Sequence, residues 1–456
     1  MMPSVFKPEI LRTEPMSYGQ SRFWFMRQYL DDQSASNVTF WFGVKGSVQV
    51  DKLQTALDLV CRRHEALRTC FFAYNGEGCQ GIMEKSAIQL ERKTISGQPE
   101  LLEIFETVKV HVYDIERGET LRMVLCEESA DSFYLVVGYH HIAMDGSSWE
   151  LLFSDLEKAY KNGRLTPAPH QYSEWAANQL KSVDNGDLTA ERVYWRKEFP
   201  SSPTVLPLFP MAQINWRRPM KKYEHHKSYI KLDSSLTALI EETCRNRKVT
   251  TFHFHLAVFK TLLFRFLGID DLCIGIADAN RTDGKDISVI GYMLNILPLR
   301  FQSNATQSFV AALKEVRTKV FSALAHSKVP FDVILKDIGV PRASTHSPLF
   351  QAFIDYRQAN KVTFADFEGY TPLGSLSQSK VPYDVFLDVL ENYTGESIVT
   401  VGAQTSLYSE ADTEVIANSY LNLLETFAKH PSMRVANSQL FAKVEVESAI
   451  ELGRGT

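Results

Sequence analysis

The run Tyr139-His140-His141-Ile142-Ala143-Met144-Asp145-Gly146 concentrates the residue types suited to moving a proton beside a reacting carbonyl. Histidine ordinarily titrates near neutrality, so His140 and His141 are both candidates for general acid–base work. Asp145 would orient the loop by pairing with an arginine. Gly146 lets a backbone amide approach a carbonyl and stabilise its developing negative charge. The apolar stretch Phe133 to Tyr139 reads as a strand leading into this run. Trp149, Leu152, Phe153, Leu156 and Tyr160 follow at helical spacing, with Ser147 or Ser148 expected as the helix cap. A strand-to-helix corner pins the backbone on both sides and presents side chains at a sheet end. The plainer reading of the same residues is two hydrogen-bonded histidines beside a turn.

Other chemistries are weaker. Adjacent histidines point in different directions, and no third ligand stands at the spacing of His-Glu-x-x-His, so no metal is expected. His225-His226 lies in a basic, polar run and reads as solvated. His253 and His255 open an apolar helix and read as hydrogen-bonded core residues. Gly76-Glu77-Gly78-Cys79-Gln80-Gly81 has the spaced glycines of a dinucleotide loop, but that mechanism needs a helix to follow. Here Ile82 to Leu90 reads as extended, which makes the run a glycine-rich hairpin and not a nucleotide site.

These groups must be carried by a large scaffold. With 456 residues the chain exceeds one ordinary core, and 45% hydrophobic with 23% charged residues is a globular composition. A net charge of -5 argues against a nucleic-acid partner. Cys61, Cys70, Cys79, Cys126, Cys244 and Cys273 include no Cys-x-x-Cys pair, which fits reduced thiols in a cytoplasmic protein. Met1 to Pro15 has no apolar signal core, and no run approaches the ~18 apolar residues of a membrane span, so no membrane partner is expected.

The elements alternate throughout. Asp51 is the expected cap of a helix burying Leu53, Ala56, Leu57, Val60 and Leu67. Phe71 to Tyr74 and Ile82 onward read as strands about an Asn75-Gly76 turn. Leu121 to Cys126 pairs with Phe133 to His140. Later strands are Ser228 to Leu232, Leu272 to Ala277 and Ile296 to Phe301, with helices over Leu236 to Arg245 and Thr250 to Leu267. Pro200 to Pro219 carries five prolines, so the boundary falls there. This gives a mixed α/β chain with one lobe over 1–185, a linker over 186–220 and a second lobe over 221–456.

At His140 to Gly146 the sequence resembles the condensation domains of nonribosomal peptide synthetases, and the likeness extends over nearly the whole chain. Ser17-Tyr18-Gly19-Gln20-Ser21-Arg22-Phe23-Trp24 is similar to the first family motif, and Arg63-His64-Glu65-Ala66-Leu67-Arg68-Thr69-Cys70-Phe71 to the second. Tyr172-Ser173-Glu174-Trp175-Ala176 resembles the fourth. Ile290-Gly291-Tyr292-Met293-Leu294-Asn295-Ile296-Leu297-Pro298-Leu299-Arg300 resembles the fifth, Val329-Pro330-Phe331-Asp332 the sixth and Ser347-Pro348-Leu349-Phe350 the end of the seventh. Gly19 stands where the family has alanine, Ile296 where it has threonine, and Ala343 to His346 lacks the usual arginine-rich start. Ser21 to Phe25 and Val401 to Ser409 are similar to the form appended to fungal highly reducing polyketide synthases.

The resemblance implies two chloramphenicol-acetyltransferase-like lobes in a V-shaped pseudodimer with a central active-site tunnel. It implies that His141 is catalytic within a site shared with His140 and Gly146. Asp145 would be held by an arginine of the opposite lobe, for which Arg281 occupies the matching place, and Ser147 and Asn295 would line the tunnel. The implied reaction joins a carrier-bound acyl thioester to an acceptor amine. No cofactor binds the domain itself, since the phosphopantetheine arms belong to partner carriers. The implied donor is the acyl carrier protein of a polyketide synthase, and the acceptor a peptidyl carrier protein or a small amine or alcohol. Two rivals stand beside this reading: a gating module that docks a carrier without forming a bond, and release to water or an alcohol. The first draws on the lack of an adenylation or carrier motif after the condensation motifs. Cyclisation variants replace the histidines by aspartates and are excluded.

Overall fold

Asn75 and Gly76 both adopt left-handed backbone, with φ of 52° and 83°, and this pair turns the chain back tightly enough to fix the first hairpin. The computed structural model in which this is seen describes residues 9–281, 284–359, 363–364, 367–370, 376–392 and 397–442. The first eight residues of the Met1 to Pro15 stretch thus lie outside the described residues. Strand β3 (Thr69–Tyr74) meets β4 (Glu77–Met83), and β1 (Ile10–Pro15) pairs with the far side of β4. The glycine-rich run is therefore itself a strand. The returning strand starts at Glu77 and stops at Met83, where the sequence pattern had it running from Ile82 to Leu90.

The chain folds into two compact units. The first comprises the residues up to Leu188 together with 279–295 and 361–381. Besides the small sheet it holds a larger one. Strands β2 (Asn37–Lys45), β7 (Ser132–His140), β6 (Leu121–Ser129) and β5 (Leu90–Thr94) lie side by side, with β12 (Thr363–Phe364), β13 (Phe367–Tyr370) and β14 (Leu376–Ser377) beyond β2. Helices α2 (Val50–Arg63) and α4 (Gly146–Asn162) cover one face, where Phe40, Phe42, Leu135 and Val137 meet Leu53, Leu57, Leu152 and Phe153. Helix α3 (Gln98–Lys109) covers the other, with Leu101, Phe105 and Val108 against Trp41, Val124 and Val136. Covered on both faces, β7 reads as a nearly continuous apolar run. Helix α2 starts at Val50 and has no side-chain cap, so Asp51 sits in its first turn and not at its cap. The remaining helices are α1 (Tyr18–Tyr29) and α5 (Tyr172–Asp184).

The second unit is built on strands β10 (Asn295–Gln302), β9 (Asp271–Asp278), β11 (Ala352–Ala359), β15 (Val385–Asn392), β16 (Ser397–Gln404) and β8 (His225–Leu232), in that order across the sheet. Helix α8 (Thr251–Leu267) is apolar nearly all round because α7 (Ser234–Arg247), α9 (Phe309–Ala325) and α11 (Glu410–Lys429) pack about it. Helices α6 (Thr189–Glu198) and α10 (Phe331–Ile338) pack together, tied by Arg192 to Asp337 at 2.6 Å.

Three sequence readings change here. The segment 186–220 is not bare linker: α6 lies inside it, Trp195, Leu206 and Phe209 are buried, and everything from Thr189 groups with the second unit. Segments 279–295 and 361–381 group with the first unit, although 221–456 reads as one lobe along the chain. His225 and His226, read as solvated, are half-buried. They open β8, and His225 Nε2–H donates to the Tyr383 carbonyl at 2.8 Å while its ring meets the Phe386 edge. All six cysteines are unpaired, five of them buried. Among the described residues no helix is long and apolar enough to cross a membrane.

Candidate active site

Strand β7 ends at His140, and the corner that follows is fastened to the chain around it. The His140 N–H donates to Thr120 O and the His141 N–H to Ser36 O, both at 2.9 Å. His140 is fully buried and its Nδ1 accepts the Ile142 N–H at 3.1 Å. Burial, reinforced by the positive charge of Arg27, pushes its pKa down to about 3. A nitrogen already accepting a backbone bond in a dry site cannot take up a proton, so His140 shapes the corner.

His141 is different. It is half-buried, and its Nδ1 lies 2.9 Å from the Met144 carbonyl oxygen. A carbonyl only accepts, so Nδ1 carries the proton and Nε2 keeps its lone pair. Burial lowers the imidazole pKa below its ordinary value, while the Met144 carbonyl and the Asp145 charge act the other way. Three rings fix its orientation. Phe23 stacks on it at 5.6 Å, and Tyr292 and Tyr139 meet it edge-on at 5.3 and 5.8 Å. The result is a neutral imidazole with a defined basic nitrogen.

Asp145 is the helix cap that the sequence reading gave to Ser147 or Ser148. Its Oδ1 accepts the Ser148 N–H at 3.0 Å, the Ser148 hydroxyl at 2.8 Å and Arg281 Nη2 at 2.9 Å. Its Oδ2 accepts the Met293 N–H at 2.9 Å. Arg281 also donates to the carbonyls of Asp286 and Val289, at 2.9 and 2.7 Å. The side chains of the pair are only 2% and 8% exposed, so each charge depends on the other. The expected ion pair is thus present, but the 279–295 segment that carries Arg281 belongs to the same unit as Asp145 and not to a second lobe. With both oxygens engaged, Asp145 braces the corner instead of moving protons.

The remaining candidates divide. Gly146 opens α4 with an exposed backbone, and a Cβ there would meet nothing within 4 Å. Ser147 is half-buried beside it, and Asn295 is buried at the start of β10. The structure also adds residues that sequence reasoning did not single out. The Tyr172 hydroxyl lies 2.7 Å from both Ser17 Oγ and the Tyr292 carbonyl, tying together segments that the family motifs list separately. The Tyr172 ring fills the space of a Gly291 side chain, 1.9 Å from where its Cβ would be. Gly19, the departure from the family's alanine, has a reason of the same kind, since a methyl there would lie 2.6 Å from the Tyr292 ring. The aromatic residues in those motifs were the available signal for Phe23, Tyr172 and Tyr292. Among the described residues no three acidic, histidine or cysteine side chains gather as metal ligands.

Two α/β units, one of them presenting a braced His-His-x-x-x-Asp-Gly corner, define the acyltransferase-like class that the sequence motifs suggested. The condensation-domain family model matches residues 11–448, and the chain belongs to that family, whose members have two chloramphenicol-acetyltransferase-like lobes. Its relatives are fungal hybrid synthetases. It is 39% identical over 447 residues to the polyketide synthase-nonribosomal peptide synthetase phmA of Phaeosphaeria nodorum, covering 97% of this chain and 11% of that one. To the hybrid PKS-NRPS synthetase gkaA of Penicillium citrinum it is 40% identical over 453 residues, covering 98% and 11%. The condensation domain of the monacolin K polyketide synthase MokA superposes with a TM-score of 0.86 at 28% identity, covering 94% of this chain and all of that one. The chain thus spans about a tenth of the length of these curated relatives.

Proposed function

We propose that this chain transfers a carrier-bound acyl group, of polyketide origin, from its thioester to an acceptor amine. The observation that carries the reading is the His141 tautomer: Nδ1 donates to the Met144 carbonyl, leaving Nε2 as the basic nitrogen at a half-buried position. The amine nitrogen attacks the thioester carbonyl, the C–N bond forms, and the amine proton passes to His141 Nε2. The tetrahedral oxyanion then collapses, the C–S bond breaks, and that proton goes to the departing thiolate. The products are an amide and a free phosphopantetheine thiol.

A thioester is already activated, so no covalent enzyme intermediate is needed. Positioning two tethered ends supplies up to ~7–11 kcal/mol of the barrier. A placed general base adds about 10²–10⁴-fold. The Gly146 amide, at a helix start with open space beside it, is the proposed oxyanion donor. His140 and Asp145 with Arg281 position the corner, and Ser147 and Asn295 line the substrate path. The domain binds no cofactor of its own. The donor partner is the acyl carrier protein of the synthase, and the acceptor is carried by a peptidyl carrier or supplied as a free amine.

The test loads a polyketide acyl carrier with an acyl group, adds the protein and a panel of amines, and follows the carrier by intact mass. Acyl loss from the donor with matching amide supports the reading. A donor that stays loaded with every amine contradicts it and favours a docking module. Acyl loss without amide indicates release to water or an alcohol.

A further inference from the structure

The second unit contains a cavity of about 300 Å³, at the small end of the range for ligand pockets. Ile276, Val320, Leu324 and Ile354 make its walls apolar, and Phe321, half exposed, stands at its rim. Three polar side chains interrupt this lining: Thr250 and Tyr356 have hydrogen-bond partners, in His253 Nδ1 and the Thr251 hydroxyl, and His253 keeps one nitrogen unpaired. His253 is 3% exposed and sits one turn into α8, beyond the Thr250 cap. Its Nδ1 accepts the Thr250 N–H at 3.0 Å, so the proton must reside on Nε2. That Nε2–H is buried and has no hydrogen-bond partner. Burial holds the ring neutral, with its pKa near 4, which keeps Nε2 a donor at working pH. A buried donor left unpaired costs about 1–3 kcal/mol. Its neighbour on the helix shows the contrast, since His255 Nδ1 is satisfied by the Tyr420 hydroxyl at 2.6 Å.

We propose that this cavity is a binding site for an alkyl chain bearing an acceptor oxygen, such as an acyl thioester or a ketone, with His253 Nε2–H as the group that reads the oxygen. The walls would take the hydrocarbon, and apolar contact with Ile276, Val320 and Leu324 would supply most of the affinity. Because Nε2 is buried, a ligand would reach it only if a lining side chain turned, and half-exposed Phe321, its centroid 5.5 Å from the imidazole, is the candidate. Arg317, over that ring at 5.1 Å, places a positive charge beside the cavity and would also favour a free carboxylate. Assigning the chain to a carrier-bound substrate rests on the proposed acyl transfer, whereas occupancy of the cavity does not.

The experiment titrates the full chain with octanoyl-N-acetylcysteamine and, separately, with octanoate, following histidine side-chain nitrogens by ¹⁵N NMR together with calorimetric affinity. The thioester is expected to move the His253 Nε2–H signal and to bind. Ala277→Leu, which narrows the cavity from a half-buried position, should weaken binding at least about tenfold, a difference of 1.4 kcal/mol. His253→Phe, which keeps an aromatic ring but loses both nitrogens, should weaken the thioester more than 1-octene, a chain with no oxygen. His141→Ala should leave all of this unchanged, which separates failure here from failure of the acyl-transfer reading. Tighter binding of octanoate than of the thioester would assign the site to free fatty acids instead of acyl thioesters. A His253 signal unmoved by either probe, or equal affinity in folded Ala277→Leu, would overturn the proposal and leave a cavity holding water only.

Discussion

Each unit contains a pair of histidines close in sequence, and in each pair one nitrogen is left over, but the leftovers have opposite chemistry. At the corner of the first unit His141 Nδ1 faces a carbonyl, which forces the proton onto Nδ1 and leaves a lone pair on Nε2. At the start of α8 His253 Nδ1 faces a backbone N–H, which forces the proton onto Nε2 and leaves a donor. Their partners, His140 and His255, are buried and hydrogen-bonded. Residue type alone therefore does not decide function. A single backbone group beside Nδ1 determines whether an imidazole can accept a proton or only offer one.

The two places also differ in how firmly they are held, and mutation should expose this. Asp145→Ala strands the buried Arg281 charge and removes the α4 cap, so it should cost about 3–5 kcal/mol in urea unfolding and reduce acyl transfer. His253→Phe in the second unit removes an unpaired donor together with the Nδ1 acceptor of the Thr250 N–H, and strands no charge, so it should cost less, about 1 kcal/mol for the lost cap bond. Equal losses for the two variants would break the comparison.

Gly291→Ala comes next. The Tyr172 ring occupies the space of the new methyl, so about 1–3 kcal/mol should be lost through displaced packing. Gly146→Ala, where nothing lies within 4 Å, should leave the melting temperature nearly unchanged.

Acid should sharpen the contrast further. His140 titrates near 3 in the fold but near 6.5 when unfolded, so between those values the unfolded chain binds more protons. Stability is then lost as pH falls below ~6.5, by roughly 2 kcal/mol at pH 5 from His140 alone. His253 and His255, both near 4, add to the same slope. His140→Asn should flatten part of the slope in urea midpoints compared at pH 7 and pH 5. An unchanged slope would show that His140 is not held neutral.

The smallest effect concerns the rate. Because His141 is depressed by burial, the acid limb of single-turnover acyl transfer should lie below ~6.5, with a plateau above it. A limb above that value would place a different group in charge of the proton.

The His141 corner was legible in the sequence because all its parts are local: an apolar strand, a seven-residue motif and a helical repeat. The Arg281 partner was legible only through resemblance to a family, since 136 residues separate it from Asp145. The cap was misassigned because Asp145 and Ser148 bond to each other and both suit the position. The return strand at Glu77 was misplaced because its glycines suppress the alternating pattern that marks strands. Nothing local shows that segment 279–295 folds with the first unit, or which proton each histidine carries, because both depend on groups that only the fold brings near.

The central claim is that His141 Nε2 accepts the proton of the attacking amine. The most direct measurement is single-turnover amide formation from an acyl-loaded carrier with a reactive amine, comparing wild type with His141→Ala of equal melting temperature. The account predicts a loss of at least about 10²-fold in the variant, with the acyl group remaining on the donor carrier. A folded His141→Ala protein that forms amide at the wild-type rate would contradict it.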